Sequence, residues 1–245
     1  MTTAPVAPWA LLGDAMVCLA RWRDRSTLPE LPPGIRRMPG PCLVMAARYY
    51  DSPVGPFLTF VIADPARVRG HLGWHASLAA TDSIGAQVGL RLNWGVPADI
   101  ADLTWIDRDQ HMELRWGKRS LSMAADTRRV AMPMVIPARG LQRRTDGPVL
   151  VPGMARGLAR LATTSVHTYP GDELAPIAGQ HVGIVVKGLR YVVKPAQGPA
   201  GLFSTLAVSQ SAPGGALGFA DVSHGASDFG SDHNGRRESV PHRGD

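Results

Sequence analysis

The chain has 245 residues, 44% of them hydrophobic and 6% aromatic, with a formal net charge of +6 and a pI near 9.9. A domain of this size buries roughly 70–75% of its unfolded surface, and two cysteines, Cys18 and Cys42, are too few for a disulfide scaffold and lack metal-ligand spacing. The positive charge does not argue for nucleic acid: the basic residues are scattered, paired at most as in Arg36-Arg37 or Arg143-Arg144, with no interleaved stacking aromatics and no helix-turn-helix, zinc-finger or RNA-binding signature.

At the N-terminus, Asp14 interrupts the apolar stretch and the first basic residue, Arg21, follows it instead of preceding it. An export signal needs positive charge before its apolar core, and a membrane helix needs about 20 apolar residues. A cytoplasmic location with no membrane contact is therefore expected. Cys18 and Cys42 each sit in an apolar run, where a buried free thiol is the usual outcome.

Residues 42–50 and 57–63 are apolar runs of strand length. Asp51-Ser52-Pro53 between them is turn chemistry. Asp64-Pro65 has the form of a helix start, Asp as cap and Pro at the first helical position, for a helix ending by Gly70. His111 to Trp116 alternates, with Met112, Leu114 and Trp116 on one face and His111, Glu113 and Arg115 on the other. Gly117-Lys118 then predicts a two-residue hairpin into a second alternating run, Arg119 to Ala124. Alternation places Glu113 toward water if the interior is apolar.

Met154, Leu158 and Leu161 share one face of a predicted helix. Residues 181–187 and 189–194 predict a strand pair meeting at a turn near Gly188. Many short strands with one or two helices point to a β-barrel or highly curved sheet, because closure removes exposed strand edges. From Ser209 onward Gly, Ser, Asp and His dominate, so residues 1–208 are expected to fold and 209–245 to form a disordered tail. His224, His233 and His242 recur there every nine residues, which matches no usual zinc-ligand spacing.

Phosphate-binding glycine loops, G-x-S-x-G elbows and H-E-x-x-H sites are absent from the sequence. His71 and His75 are four apart, but Gly73 lies between them and no third ligand is evident, so no metal and no cofactor are expected.

Two segments resemble a known family. CLVMAARYYDSPVGPFLTF (42–60) is similar to the strand, Ser-Pro-x-Gly-Pro-aromatic turn and next strand of the acetoacetate decarboxylase superfamily. GLRLNWGVPAD (89–99) is similar to the family segment in which an arginine precedes a proline followed at once by lysine. The resemblance spans approximately residues 8–205. It implies a mainly β (α+β) fold, a cone-shaped β-barrel with one or two short helices and a closed apolar cavity, and homo-oligomers.

The family chemistry depends on that lysine, whose amine forms an iminium ion with a keto acid and so accepts the electrons released as carbon dioxide leaves. Acetoacetate decarboxylase is itself the standard example of a lysine made nucleophilic by an apolar pocket or a cationic neighbour. Here Ala98 occupies the lysine position and Asp99 follows. The family's two carboxylate positions correspond to Val44 and Thr59. Lysine is scarce: only Lys118, Lys187 and Lys194 are present, with Lys194, at the end of an apolar strand, the fallback nucleophile.

Arg91 matches the family arginine, either to bind a carboxylate bidentately or as a structural ion pair. Asn93, Trp94, Thr59 and Tyr50 are expected to shape the pocket. The reading is a pocket for a small keto acid or apolar acid without imine chemistry. The alternatives are a decarboxylase or aldolase-type lyase with a relocated lysine or acid–base catalysis, and a non-catalytic scaffold or regulatory subunit.

Overall fold

The computed structural model describes residues 5–22 and 30–198. The strands are β1 (Trp9–Ala20), β2 (Arg36–Arg37), β3 (Cys42–Asp51), β4 (Phe57–Val68), β5 (His71–Thr81), β6 (Ala98–Ile100), β7 (Leu103–Arg108), β8 (His111–Trp116), β9 (Leu121–Arg144), β10 (Gly147–His167) and β11 (Gly179–Val193). The one α-helix among the described residues, α1 (Ile84–Trp94), links β5 to β6. The tail expected over 209–245 lies outside the described residues.

Hydrogen bonding runs β5-β4-β3-β1-β11-β10-β9, and a parallel contact between Trp74 and Gly140 joins β5 back to β9. Seven strands thus close into a barrel, the architecture expected from the sequence. Hairpin β7–β8 extends from the first part of β9, and β6 pairs with β5.

Both faces of the barrel wall are apolar, which is why β3 and β4 read as near-continuous apolar runs instead of alternating ones. Met16, Val44, Phe60, Ile62 and Val185 face outward and are covered by Met112, Leu114 and Met123 of β8 and β9. Leu11, Ala15, Tyr49, Phe57, Val186 and Leu189 face inward. Cys18 and Cys42 are buried thiols outside any disulfide, as expected. Burial, and after it the neighbouring Cys42, pushes the Cys18 thiol up to about 12, so it stays unreactive.

Four local expectations are corrected. Asp64-Pro65 starts no helix: both residues lie inside β4, and the fully buried Asp64 carboxylate pairs with Arg37 at 3.2 Å instead of capping backbone N–H groups. The stretch to Gly70 is also too short to repay helix nucleation. Met154, Leu158 and Leu161 lie in β10, not on a helix. Residues four apart, such as Met154 and Leu158, share a strand face as well as a helix face, whereas Leu161, paired with Ile184, lies on the opposite face of β10.

Gly188 is no turn either, because β11 runs unbroken from Gly179 to Val193. Gly188 takes φ +59 in a bulge, where its N–H donates to Asp14 at 3.0 Å. A left-handed glycine satisfies a turn or a bulge equally, and the flanking strands decided. Lastly, the β8–β9 connection is a 3-10 turn over Gly117–Arg119 followed by left-handed Ser120, and pairing resumes at Leu121.

His75 stands at the barrel seam, buried, with its Nδ1 2.8 Å from the Leu141 carbonyl. Burial holds its pKa below the ordinary value of 6.5, although the Leu141 hydrogen bond and Asp64 work in the opposite direction. Below about pH 6.5 the unfolded chain takes up a proton that the folded one refuses. Stability therefore falls as the pH drops from about 6.5 toward the folded-state value. Melting temperatures between pH 7.5 and 5.5 should decline, and His75→Gln should flatten that decline. Equal slopes would place the acid sensitivity elsewhere.

Candidate functional site

The barrel interior holds a partly open cavity of about 300 Å³, at the lower end of ligand-pocket sizes. Strand alternation builds it. Leu43, Met45 and Tyr49 come from β3, Phe57, Thr59, Val61 and Ala63 from β4, and Ala138, Gly140 and Gln142 from β9. On β11 the inward residues change from Ile184 and Val186 to Leu189, Tyr191 and Val193, because the Gly188 bulge inserts one residue and flips the parity.

Helix α1 supplies Leu90 and Trp94 to the lining. Its ends are well defined: the Ser83 side chain accepts from the Ala86 N–H, and Gly95 (φ 72) returns its N–H to the Arg91 carbonyl. Trp94 packs edge-on to Trp9 with ring centroids 5.0 Å apart, and its indole N–H donates to the Lys194 carbonyl at 2.8 Å. A Cβ at Gly89 would stand 2.2 Å from the Trp9 ring, so this helix needs glycine there to reach the barrel.

Few polar groups interrupt the apolar lining. Thr59 donates to the Ala80 carbonyl at 2.9 Å. The Gln142 side chain, in a residue 3% exposed, has an Oε1 with no hydrogen-bond partner. Burial pushes the Tyr191 phenol up to about 12. Burial, and after it the neighbouring Tyr191 phenol, raises Tyr49 as well.

Both phenols are therefore neutral donors at physiological pH. In an absorbance titration, two of the four tyrosines should resist ionisation well past the ordinary phenol value of about 10. Stability should fall above that pH, because the unfolded chain then loses protons that the folded chain keeps. A single transition covering all four tyrosines would contradict the burial of Tyr49 and Tyr191.

Arg139 is the one ionisable residue of the lining apart from the two tyrosines, among the described residues. It is exposed and alternates with the inward Ala138 and Gly140, so its side chain turns to solvent. No lysine, aspartate or glutamate lines the cavity among the described residues.

The residues singled out in the sequence are divided by this geometry. Trp94 and Thr59 line the cavity. Tyr50 is 45% exposed, and its neighbour Tyr49 takes the inward place. Val44 is fully buried on the outward face of β3. Ala98 is fully buried, pairs with Ala79, and lies outside the lining, which Val96 reaches instead.

Arg91 also stays outside. Its Nη2 meets Asp99 at 2.6 Å and its Nε donates to the Ala98 carbonyl at 2.7 Å, on the exposed side of α1. The Asn93 amide donates to the Pro5 carbonyl at 2.9 Å. Lys187 pairs with Asp107 at 2.6 Å, and Lys118 sits in the exposed turn after β8. Lys194 is exposed and caps Trp94 through its carbonyl. Glu113 forms a two-pronged pair with Arg115 at 2.8 and 2.9 Å, away from the cavity as alternation predicts.

Sequence reasoning missed Tyr49, Gln142 and Tyr191. The signal for Tyr191 was its alternation with Leu189 and Val193, and Gln142 likewise alternates with Gly140.

No protein-family model and no curated protein matches the sequence. Solved structures do match in fold. Acetoacetate decarboxylase from Legionella pneumophila superposes with a TM-score of 0.58 at 16% identity, over 80% of this chain and 88% of that one. The enduracididine biosynthesis enzyme MppR, complexed with pyruvate, gives 0.59 at 15% identity over 80% and 91%. An acetoacetate decarboxylase-like enzyme from Sphingomonas wittichii RW1 gives 0.55 at 14% over 79% and 93%.

Proposed function

We propose that this chain, which has the fold of acetoacetate decarboxylase, binds a small, largely apolar metabolite noncovalently in the barrel cavity and performs no imine chemistry. The observation that carries the reading is the lining itself, which is apolar and without lysine or carboxylate among the described residues. An iminium mechanism needs an amine within the pocket. The lysines that the chain has point elsewhere: Lys187 is held by Asp107, and Lys118 and Lys194 are exposed. Between a keto acid and an apolar ligand, the lack of an inward cation favours the apolar one, since an unpaired buried carboxylate is costly.

Borohydride trapping tests this. The protein is incubated with acetoacetate, and separately with pyruvate, reduced, and weighed intact beside acetoacetate decarboxylase as control. An unchanged mass is expected. A stable adduct mapped to Lys118, Lys187 or Lys194 would make the protein a covalent lyase instead.

Self-association, which the family resemblance implies, has a candidate surface on hairpin β9–β10, where Val130, Met132, Val135 and Leu158 are exposed. Light scattering on the eluting protein should report a mass above that of one chain, and a monomer at high micromolar concentration would remove this proposal.

A further inference from the structure

The cavity contains one polar feature that neither fold nor packing consumes. Gln142 reaches the lining from β9, beside the seam with β5, and its Oε1 is buried without a partner. Buried polar atoms are almost always hydrogen-bonded, and an exception calls for an explanation such as a missing ligand group. The rest of β9 offers no local reason for a polar side chain here, since the inward neighbours are Ala138 and Gly140.

Two phenols further round the lining carry the complement. Tyr49 and Tyr191 sit on β3 and β11, the two strands that flank β1. Around the seven-strand ring, β3 is three strands from β9 and β11 is two. A ligand filling the cavity thus lies beside the Gln142 carboxamide, whose acceptor is unpaired, and beside the neutral phenols of two other strands, with apolar side chains between. Among the described residues no inward ionised group is available to balance a charge on it.

We infer that the cavity selects an uncharged molecule with an apolar body and a polar group that donates a hydrogen bond, of the primary-amide or alcohol kind, and that Gln142 is the residue that reads the donor. This rests on the noncovalent reading of the cavity. A site with a buried group awaiting a hydrogen bond rejects an analogue that lacks the bond, because the group is then left unpaired. Gln142 is on this view a specificity-determining residue, and the phenols serve the ligand's acceptor atom.

The test uses three probes of matched length by titration calorimetry: hexanamide, which donates and accepts, 2-heptanone, which only accepts, and hexanoate, which is charged. The full chain should bind hexanamide about tenfold more tightly than 2-heptanone, and hexanoate more weakly than either. Gln142→Leu should lower hexanamide affinity about tenfold while leaving 2-heptanone nearly unchanged. Gln142→Met provides the same comparison if the leucine variant folds poorly, and Tyr191→Phe should weaken both carbonyl probes.

Equal affinity for hexanamide and 2-heptanone, or an equal response of both to Gln142→Leu, would overturn the inference and leave the noncovalent reading standing. Preference for hexanoate would likewise overturn the inference alone. Failure of all three probes to bind would remove the noncovalent reading and the inference with it.

Discussion

Replacing Trp94 by alanine should lower the stability of this protein by about 3–5 kcal/mol, the range for large aromatic truncations in a core. Three losses combine. The indole is fully buried at the foot of α1, and its transfer to water is the main one. Its edge-on contact with Trp9 adds about 0.5–1.5 kcal/mol in comparable pairs. Its N–H also satisfies the Lys194 carbonyl at 2.8 Å, at the end of β11.

Urea unfolding of the variant measures the total. Because Trp94 lines the cavity, the truncation also enlarges it, and free indole should refill the space. Added indole should therefore raise the melting temperature of Trp94→Ala by more than it raises that of the parent protein. A loss below about 1 kcal/mol would mean that the helix re-packs without its tryptophan, far outside the usual range.

Gly13→Ala should be comparably damaging for the opposite reason. A Cβ at position 13 would stand 2.1 Å from the Arg48 carbonyl oxygen and 2.9 Å from the Tyr49 Cα. These are backbone atoms of the paired strand β3, so no rotamer change relieves the clash. Overpacking typically costs about 1–3 kcal/mol and more where the surroundings cannot shift.

Here they cannot, because Gly13 stands in a line of register shifts that crosses β3, β1, β11 and β10. Those shifts bend the wall and set which side chains face inward. The variant should thus unfold at markedly lower denaturant and, where still folded, lose cavity binding. Gly198→Ala is the control: nothing lies within 4 Å of its new Cβ, and it should stay within about 0.5 kcal/mol of the parent.

Much of the architecture was legible. The apolar runs of β3 and β4, the alternation of β8 and the Ser-Pro-x-Gly turn are local patterns, and local hydrogen bonding holds them in place. In that turn the Ser52 hydroxyl donates to the Gly55 carbonyl and accepts from the Val54 N–H. The helix was less visible. Gly85 and Gly89 weaken the helical pattern, and α1 is held by packing on Trp9, which no short window contains.

The site was legible only in part. Trp94 and Thr59 line the cavity, whereas Tyr50 and Val44 missed it through parity, since one residue along a strand exchanges the two faces. Arg91 and Asn93 were diverted by partners. Arg91 met Asp99 eight positions on, across the helix end, and Asn93 met Pro5 at the start of the described chain.

By itself the sequence determined a β-rich chain with two buried thiols, turns at Ser52 and Gly117, and scattered surface arginines. These follow from side-chain period and turn chemistry, which act within a few residues. The tertiary structure alone decided that Gly188 bulges instead of turning, that Tyr191 and Gln142 face inward, and that no lysine enters the described cavity lining. Each of those outcomes depends on pairing with a strand distant in sequence, and a single extra residue in that pairing reverses which side chains face the cavity.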